Sequence, residues 1–278
     1  MENYQDKLFP FAYNIVGSVE DAKDVVQDVV IKHYASDSAG IDNVMGYLVK
    51  SVINHAINTK RRNQKIVADR LWLPEPMATD RSDANINREE IISYSLLVML
   101  EKLSARERAV FILKEAFDYS HSEIGDVLDI SIENARKLLS RSKKKIRSEE
   151  YQCAPANHKQ SSSYLNDYIK AIKNGDVKSL EKMLSEDISL TADGGGQIKV
   201  VRELTEGRKL SLKILFYVFQ TYQEFQTIKI TEVNHQPALL FYDDETLTNC
   251  QVFELDESQS MVKKIYSVLD PAKLELLS

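Results

Sequence analysis

The apolar residues of this chain change their period part-way along, and that change constrains the fold more than any other feature. Up to about residue 148 they recur at helical spacing, and from about residue 225 they gather in short runs rich in β-formers. Leu8, Phe9, Phe11, Ala12, Ile15 and Val16 make one helical stripe. Ala22, Val25, Val26, Val29 and Val30 make a second, opened by Ser18 with Asp21 three residues on, the pattern of a helix N-cap. Leu48, Val49, Val52, Ile53, Ala56 and Ile57 make a third. Residues 66–90 break the pattern with Pro74, Pro76 and a polar, turn-rich stretch, which predicts a linker. Helical spacing resumes over residues 91–148, where Ser104 with Glu107 and Ser120 with Glu123 spell two capping boxes.

After a polar connector, residues 149–160, the texture shifts. Two short helices (164–173 and 180–184), a strand (188–192), a glycine-rich turn and a helix (about 200–222) are expected. Strands over 225–233, 238–242, 246–255 and 261–269 follow, separated by Asn, Pro and Asp residues that suit hairpins. Helices first and an antiparallel sheet after predict an α+β domain.

Composition narrows the function. No apolar run approaches the roughly 20 residues that span a bilayer. The start MENYQDKLFPFAYN lacks a basic-then-apolar leader, and Cys153 and Cys250 stand alone, as reduced thiols do. The expectation is a cytoplasmic protein with no metal, no cofactor and no membrane contact. A net charge of −6 argues against a protein that merely coats nucleic acid. Basic residues nevertheless cluster around Lys60, Arg61 and Arg62 and again from Arg136 to Arg147, which suggests two local DNA contacts.

The segment from Ser120 to Ile146 has helix-turn-helix form. Glu133, Asn134, Arg136, Lys137, Ser140, Arg141 and Lys144 lie opposite the apolar side of its second helix. Arg and Lys suit guanine edges and phosphates, and Asn suits adenine. An amphipathic hairpin with a basic surface is the blander reading. On the third helix, Lys50, Asn54, Asn58, Lys60, Arg61 and Arg62 mix amides with cations, a combination suited to melted DNA. A solvated helix end is the alternative there.

Together these segments resemble the extracytoplasmic-function (ECF) sigma factors. FAYNIVGSVEDAKDVVQDVVIKHY resembles the part of region 2 that binds the polymerase clamp, and YLVKSVINHAINTKRR the part that melts and reads the −10 element. LEKLSARERAVFILKEAFDYSHSEIGDVLDISIENARKLLSRSKKKI resembles region 4, which reads the −35 element near the polymerase flap. Trp72-Leu73-Pro74-Glu75-Pro76 matches the WLPEP linker string of ECF factors with a fused SnoaL-like domain. Asp193-Gly194-Gly195-Gly196 resembles that domain's DGGGK string, and the segment from Leu269 to Leu274 its NPxKL-like ending. Gln197, Asp270 and Asn58 depart from the patterns, standing where Lys, Asn and often Asp occur.

The resemblance implies a multidomain chain: two all-α sigma domains, a region 2 helical bundle and a region 4 helix-turn-helix, followed by an α+β NTF2-like cone. The corresponding boundaries are 1–66 for region 2, 67–94 for the linker, 95–150 for region 4, 151–160 for the connector and 161–278 for the cone. It implies core RNA polymerase and promoter DNA as partners, with Asp21, Asp24, Gln27 and Asp28 facing the polymerase. It also implies that the WLPEP linker and the Asp193–Gly196 loop join the cone to region 2. A cone of this kind can hold a small molecule, and some SnoaL relatives are cyclases or isomerases. Here His235 and Asp243-Asp244 fall in turns, so a regulatory domain is expected rather than an enzyme. The rival reading is a one-component helix-turn-helix regulator with a ligand-binding cone.

Overall fold

The computed structural model describes residues 4–35, 42–66, 72–80, 88–147, 158–200 and 204–277. The linker stretches 67–71 and 81–87 and the connector from 148 to 157 lie outside the described residues. The chain divides into two compact units. One comprises Met1–Arg70, Ser82–Ile92 and Leu96–Tyr151, the other Leu71–Arg81, Ser93–Ser95 and Gln152–Ser278. Of the stretch expected as a linker, Leu71–Arg81 falls in the second unit, and so do Ser93–Ser95 at its end.

In the first unit, α1 (Tyr4–Val16), α2 (Val19–Ala35) and α3 (Val44–Ile66) pack around the three predicted stripes. Gly17 ends α1 at φ 78°, a left-handed position that glycine adopts without strain. The Ser18 hydroxyl then accepts from the Asp21 amide and starts α2. Next come α4 (Tyr94–Met99), whose first two residues are counted with the second unit, then α5 (Ala105–Glu115), α6 (His121–Leu128) and α7 (Ile132–Arg147). Both capping boxes form: Ser104 and Glu107 exchange hydrogen bonds at the start of α5, Ser120 and Glu123 at the start of α6. Between α6 and α7, Asp129 takes a left-handed conformation and the Ile130 amide donates to the Gly125 carbonyl. A Cβ at position 125 would come within 2.8 Å of the Ile130 carbonyl oxygen, so the tight turn requires glycine.

The second unit holds α8 (His158–Lys173), α9 (Val177–Met183), β1 (Leu184–Asp193), β2 (Thr205–Glu206), α10 (Arg208–Val218), β3 (Thr227–Val233), β4 (Gln236–Asp243), β5 (Thr246–Leu255), β6 (Val262–Val268) and the short α11 (Pro271–Leu274). One six-stranded sheet has the order β2-β1-β6-β5-β4-β3. Leu165, Tyr168, Ile172, Leu215 and Phe219 pack on its inner face against Leu239, Phe241, Phe253 and Ile265.

Two expectations need correction. The sheet is mixed, because β1 and β6 run parallel in register from Ser189↔Lys264 to Asp193↔Val268. The helix expected over 200–222 is shorter: Thr205 and Glu206 pair with β1, Gly207 turns the chain at φ 89°, and α10 begins only at Arg208. Strand pairing with Leu190 and Ser189 outweighs the helical pattern of the intervening residues. No helix among the described residues is long and apolar enough to cross a membrane.

Candidate nucleic-acid interface

Helix α7 turns Ala135, Leu139, Ser142 and Ile146 inward. The Ser142 hydroxyl bonds to the carbonyls of Glu107 and Leu138, which seats the helix on α5. Lys145 pairs with Glu107 at 2.7 Å and Lys143 with Glu115 at 2.8 Å. Burial alone would raise the Glu107 carboxyl, but the Lys145 ammonium and the Ser104 amide hold it below the ordinary range. The opposite side carries all the residues expected there: Glu133, Asn134, Arg136, Lys137, Ser140, Arg141 and Lys144 are exposed. Lys137 is tied to Glu133 at 2.7 Å, whereas Arg136, Arg141 and Lys144 pair with no described residue. Those cations can meet a phosphate without first breaking an ion pair.

Helix α3 is differently occupied. The Lys50 ammonium donates to the Asp126 carbonyl at 2.6 Å, and the Asn54 amide donates to the Val127 carbonyl at 3.0 Å. Both acceptors belong to the last turn of α6, whose carbonyls lack partners within the helix. Asn58, Arg61 and Arg62 stay exposed. Lys60 departs from the expected face: only 3% exposed, it lies on the apolar side, three and four residues beyond Ile57 and Ala56. Its ammonium donates to the Val16 carbonyl at 3.0 Å and pairs with Glu101 at 2.6 Å. Arg108 pairs with the same carboxylate and donates to the Asn14 carbonyl at 2.8 Å. Two cations from different helical blocks thus cap the C-terminal end of α1, where the helix dipole favours positive charge. Burial, and then repulsion by Arg108, lower Lys60 from 10.5 to about 8 against the pull of Glu101. Phe11 stacks on Phe117 at 3.9 Å in the same seam.

On α2, Asp24, Gln27 and Asp28 are exposed and Asp21 is half-buried. Asp21 accepts from Asn63 at 2.7 Å, and Asp28 lies 3.4 Å from His55. Tyr34 and Tyr47 flank His33 as exposed aromatics. Tyr47 shares a face of α3 with Lys50, Asn54 and Asn58. Helical spacing from Asn54 back to Tyr47 could have flagged it.

In the second unit the linker string is bound to the sheet. Asp193 is buried at the end of β1; its Oδ2 accepts from the Leu73 amide at 2.8 Å and its Oδ1 from the Gly195 amide at 2.9 Å. Lys273 of α11, 6% exposed, donates to Asp193 Oδ2 and to the Leu73 carbonyl, both at 2.6 Å, and sits 4.4 Å over the Trp72 ring. Two of its protons meet oxygens while the ammonium faces an indole. Pro74 and Pro76 are buried and Glu75 is half-buried. Tyr94 donates to the Pro74 carbonyl at 2.7 Å. Beyond them Met77 exchanges hydrogen bonds with Asn234, and Ala78 bridges Val233 of the edge strand β3. Gly194 permits close approach of the Ile198 carbonyl, and Gly195 at φ 62° leaves room for the Asp270 carboxylate. Gly196 is exposed at φ 83°. Lys273 was absent from the expected site, although the sequence string ending at Leu274 contains it.

The model of sigma-70 region 2 matches residues 1–66, and that of sigma-70 region 4 matches residues 93–146. The chain carries sigma-70 regions 2 and 4 and is a homologue of ECF sigma factors. It is 24% identical to the ECF RNA polymerase sigma factor SigJ of Mycobacterium tuberculosis over 227 residues, 80% of this chain and 72% of SigJ. It is also 24% identical to the probable ECF RNA polymerase sigma factor SigI of that organism over 280 residues, 97% of this chain and 92% of SigI. The crystal structure of SigJ matches with a TM-score of 0.77 at 22% identity, covering 98% of this chain and 96% of that one, so the two share a fold. Helix α3 lies within the region 2 match, and nearly all of α7 lies within the region 4 match.

Proposed function

We propose that the chain binds core RNA polymerase through the α2 face of Asp21, Asp24, Gln27 and Asp28 and directs it to promoters. In this reading α7 enters the −35 major groove with Asn134, Arg136, Ser140, Arg141 and Lys144. Helix α3 meets the melted −10 strand with Lys50, Asn54, Asn58, Arg61 and Arg62, and Tyr47 offers a ring for base stacking. The observation that carries the reading is α7 itself: a capped, glycine-turned helix-turn-helix whose outer face presents exposed cations, unpaired among the described residues, beside an amide. Lys60 serves the internal seam instead of DNA.

The same geometry supports regulation in cis. With the last turn of α6 seated on Lys50 and Asn54, a DNA strand has to compete for that face, so in this reading polymerase binding parts region 4 from α3 before the −10 element is read. The linker between α3 and α4 is held by Asp193 and Lys273, so the second unit governs how much linker is free for that parting. The second unit acts as a regulator without catalysis of its own. His235, at φ 60° beside Glu232, sits in the β3–β4 turn, not in a recess where a general base would work.

Run-off transcription with bacterial core polymerase and genomic promoter fragments tests the reading. The full chain gives specific transcripts, and Arg136→Ala with Arg141→Ala removes them. A chain that gives none, yet binds duplex DNA tightly without polymerase, is a one-component regulator instead.

A further inference from the structure

The second unit holds an open cavity of about 660 Å3 between β1, β5, β6 and α10, within the size range of small-molecule sites. Its walls are chiefly apolar, with Leu190, Ala192, Leu215, Val218 and Ile265 among them. Strand β5 breaks that apolar surface. Past a bulge at Thr248, Asn249, Gln251 and Phe253 alternate onto one face, all buried, and the first two are amides where a core would place aliphatics.

These amides are not fully used by the protein. Asn249 is 4% exposed, and its Oδ1 has no hydrogen-bond partner among the described residues. Gln226 donates from Nε2 to the Thr248 hydroxyl at 2.9 Å, and that hydroxyl donates its only proton to the Phe241 carbonyl at 3.0 Å. Thr248 can therefore only accept from Gln226, which fixes the amide with Oε1 as a buried acceptor lacking a partner. A buried acceptor left unpaired is costly, and the cost is removed by a donor brought from outside. Lys199 is the one charged residue among the described lining, and it is exposed, so nothing inside would stabilise an ionised group. Tyr217 and Tyr222, 61% and 64% exposed, meet edge to face beside the cavity and extend its apolar surface outward.

We propose that this cavity is a receptor site for a neutral, mainly apolar small molecule bearing a hydroxyl or N–H group, which Asn249 Oδ1 and Gln226 Oε1 accept. The site rests on the second unit alone and stands apart from the promoter-directing reading.

The test uses the full chain and three fused-ring probes at neutral pH, followed by titration calorimetry: 2-naphthol, which donates; 2-methoxynaphthalene, the same body without a donor; and 2-naphthoate, an anion. The expected order is 2-naphthol tightest, 2-methoxynaphthalene about fivefold to tenfold weaker, and 2-naphthoate weakest. Asn249→Leu is expected to bring 2-naphthol down to the level of 2-methoxynaphthalene while leaving the latter unchanged, which also shows the cavity intact. Should Asn249→Leu fail to fold, Gln226→Leu at the half-buried position is expected to reduce the same preference. Absence of saturable binding by all three probes overturns the proposal. So does tightest binding of the anion, or a 2-naphthol preference that survives both substitutions.

Discussion

The two helices assigned to DNA differ in what they are engaged with. Helix α7 presents Arg136, Arg141 and Lys144 without ion-pair partners among the described residues, held from behind by Lys143, Lys145 and Ser142. Helix α3 has committed Lys50 and Asn54 to the carbonyls of α6. In the proposed reading, a duplex reader is thus ready while a single-strand reader is covered. That asymmetry fits a factor that must not melt DNA before polymerase arrives, and the same unit holds a buried charge cluster of Lys60, Glu101 and Arg108 at its seam.

The largest expected effect comes from breaking that cluster. Glu101→Gln removes the carboxylate shared by Lys60 and Arg108 and leaves two buried cations facing each other. A loss of about 3–5 kcal/mol is expected in urea unfolding. The same variant uncovers α3, so a single-stranded −10 oligonucleotide is expected to bind it more tightly than it binds the wild type. Equal affinity would mean that the contact with α6 does not mask the face.

Next in size, Arg136→Ala with Arg141→Ala is expected to cost about 2–4 kcal/mol in binding of the −35 duplex and to lower its salt slope. Anisotropy titrations would show single-strand binding untouched, which separates the two faces. In the second unit, Trp72→Ala removes an aromatic face from Lys273 and is expected to cost about 1–2 kcal/mol and to speed proteolysis of the linker. An unchanged digestion pattern would detach the linker string from this role.

A pH measurement sharpens the seam further. Lys60 binds its proton less tightly in the folded chain, at about 8, than its ordinary 10.5. Below about pH 8 both states are charged and the cost of burying the charge is fully present. Between about 8 and 10.5 the unfolded chain carries more protons, so the Lys60 contribution makes stability rise with pH across that window. Lys60→Met is expected to flatten the rise in thermal melts recorded from pH 7 to 10, and a parallel curve would place the titration elsewhere.

Local patterns were legible in the sequence. Ser104, Glu107, Ser120 and Glu123 announced their caps because both partners lie within three residues. The α7 face was legible because one helical period sorted it. What escaped depends on distant pairing. Lys60 fell among basic neighbours, and only counting from Ala56 and Ile57 shows that it points inward, toward Glu101. Lys273 meets Asp193 across 80 residues of sequence, which local spacing does not report. The parallel pairing of β1 with β6 likewise spans the remaining strands of the sheet, so alternation within each strand cannot reveal it.

The most direct test of the masked α3 face is a distance. Spin labels at Asn58→Cys and Asp126→Cys, in a background with Cys153 and Cys250 changed to Ser, would be followed by pulsed electron resonance with and without core polymerase. The expected result is one short distance in the free chain, replaced by a distinctly longer one on polymerase. A short distance that persists in a transcribing complex would contradict the proposed parting of α3 from region 4.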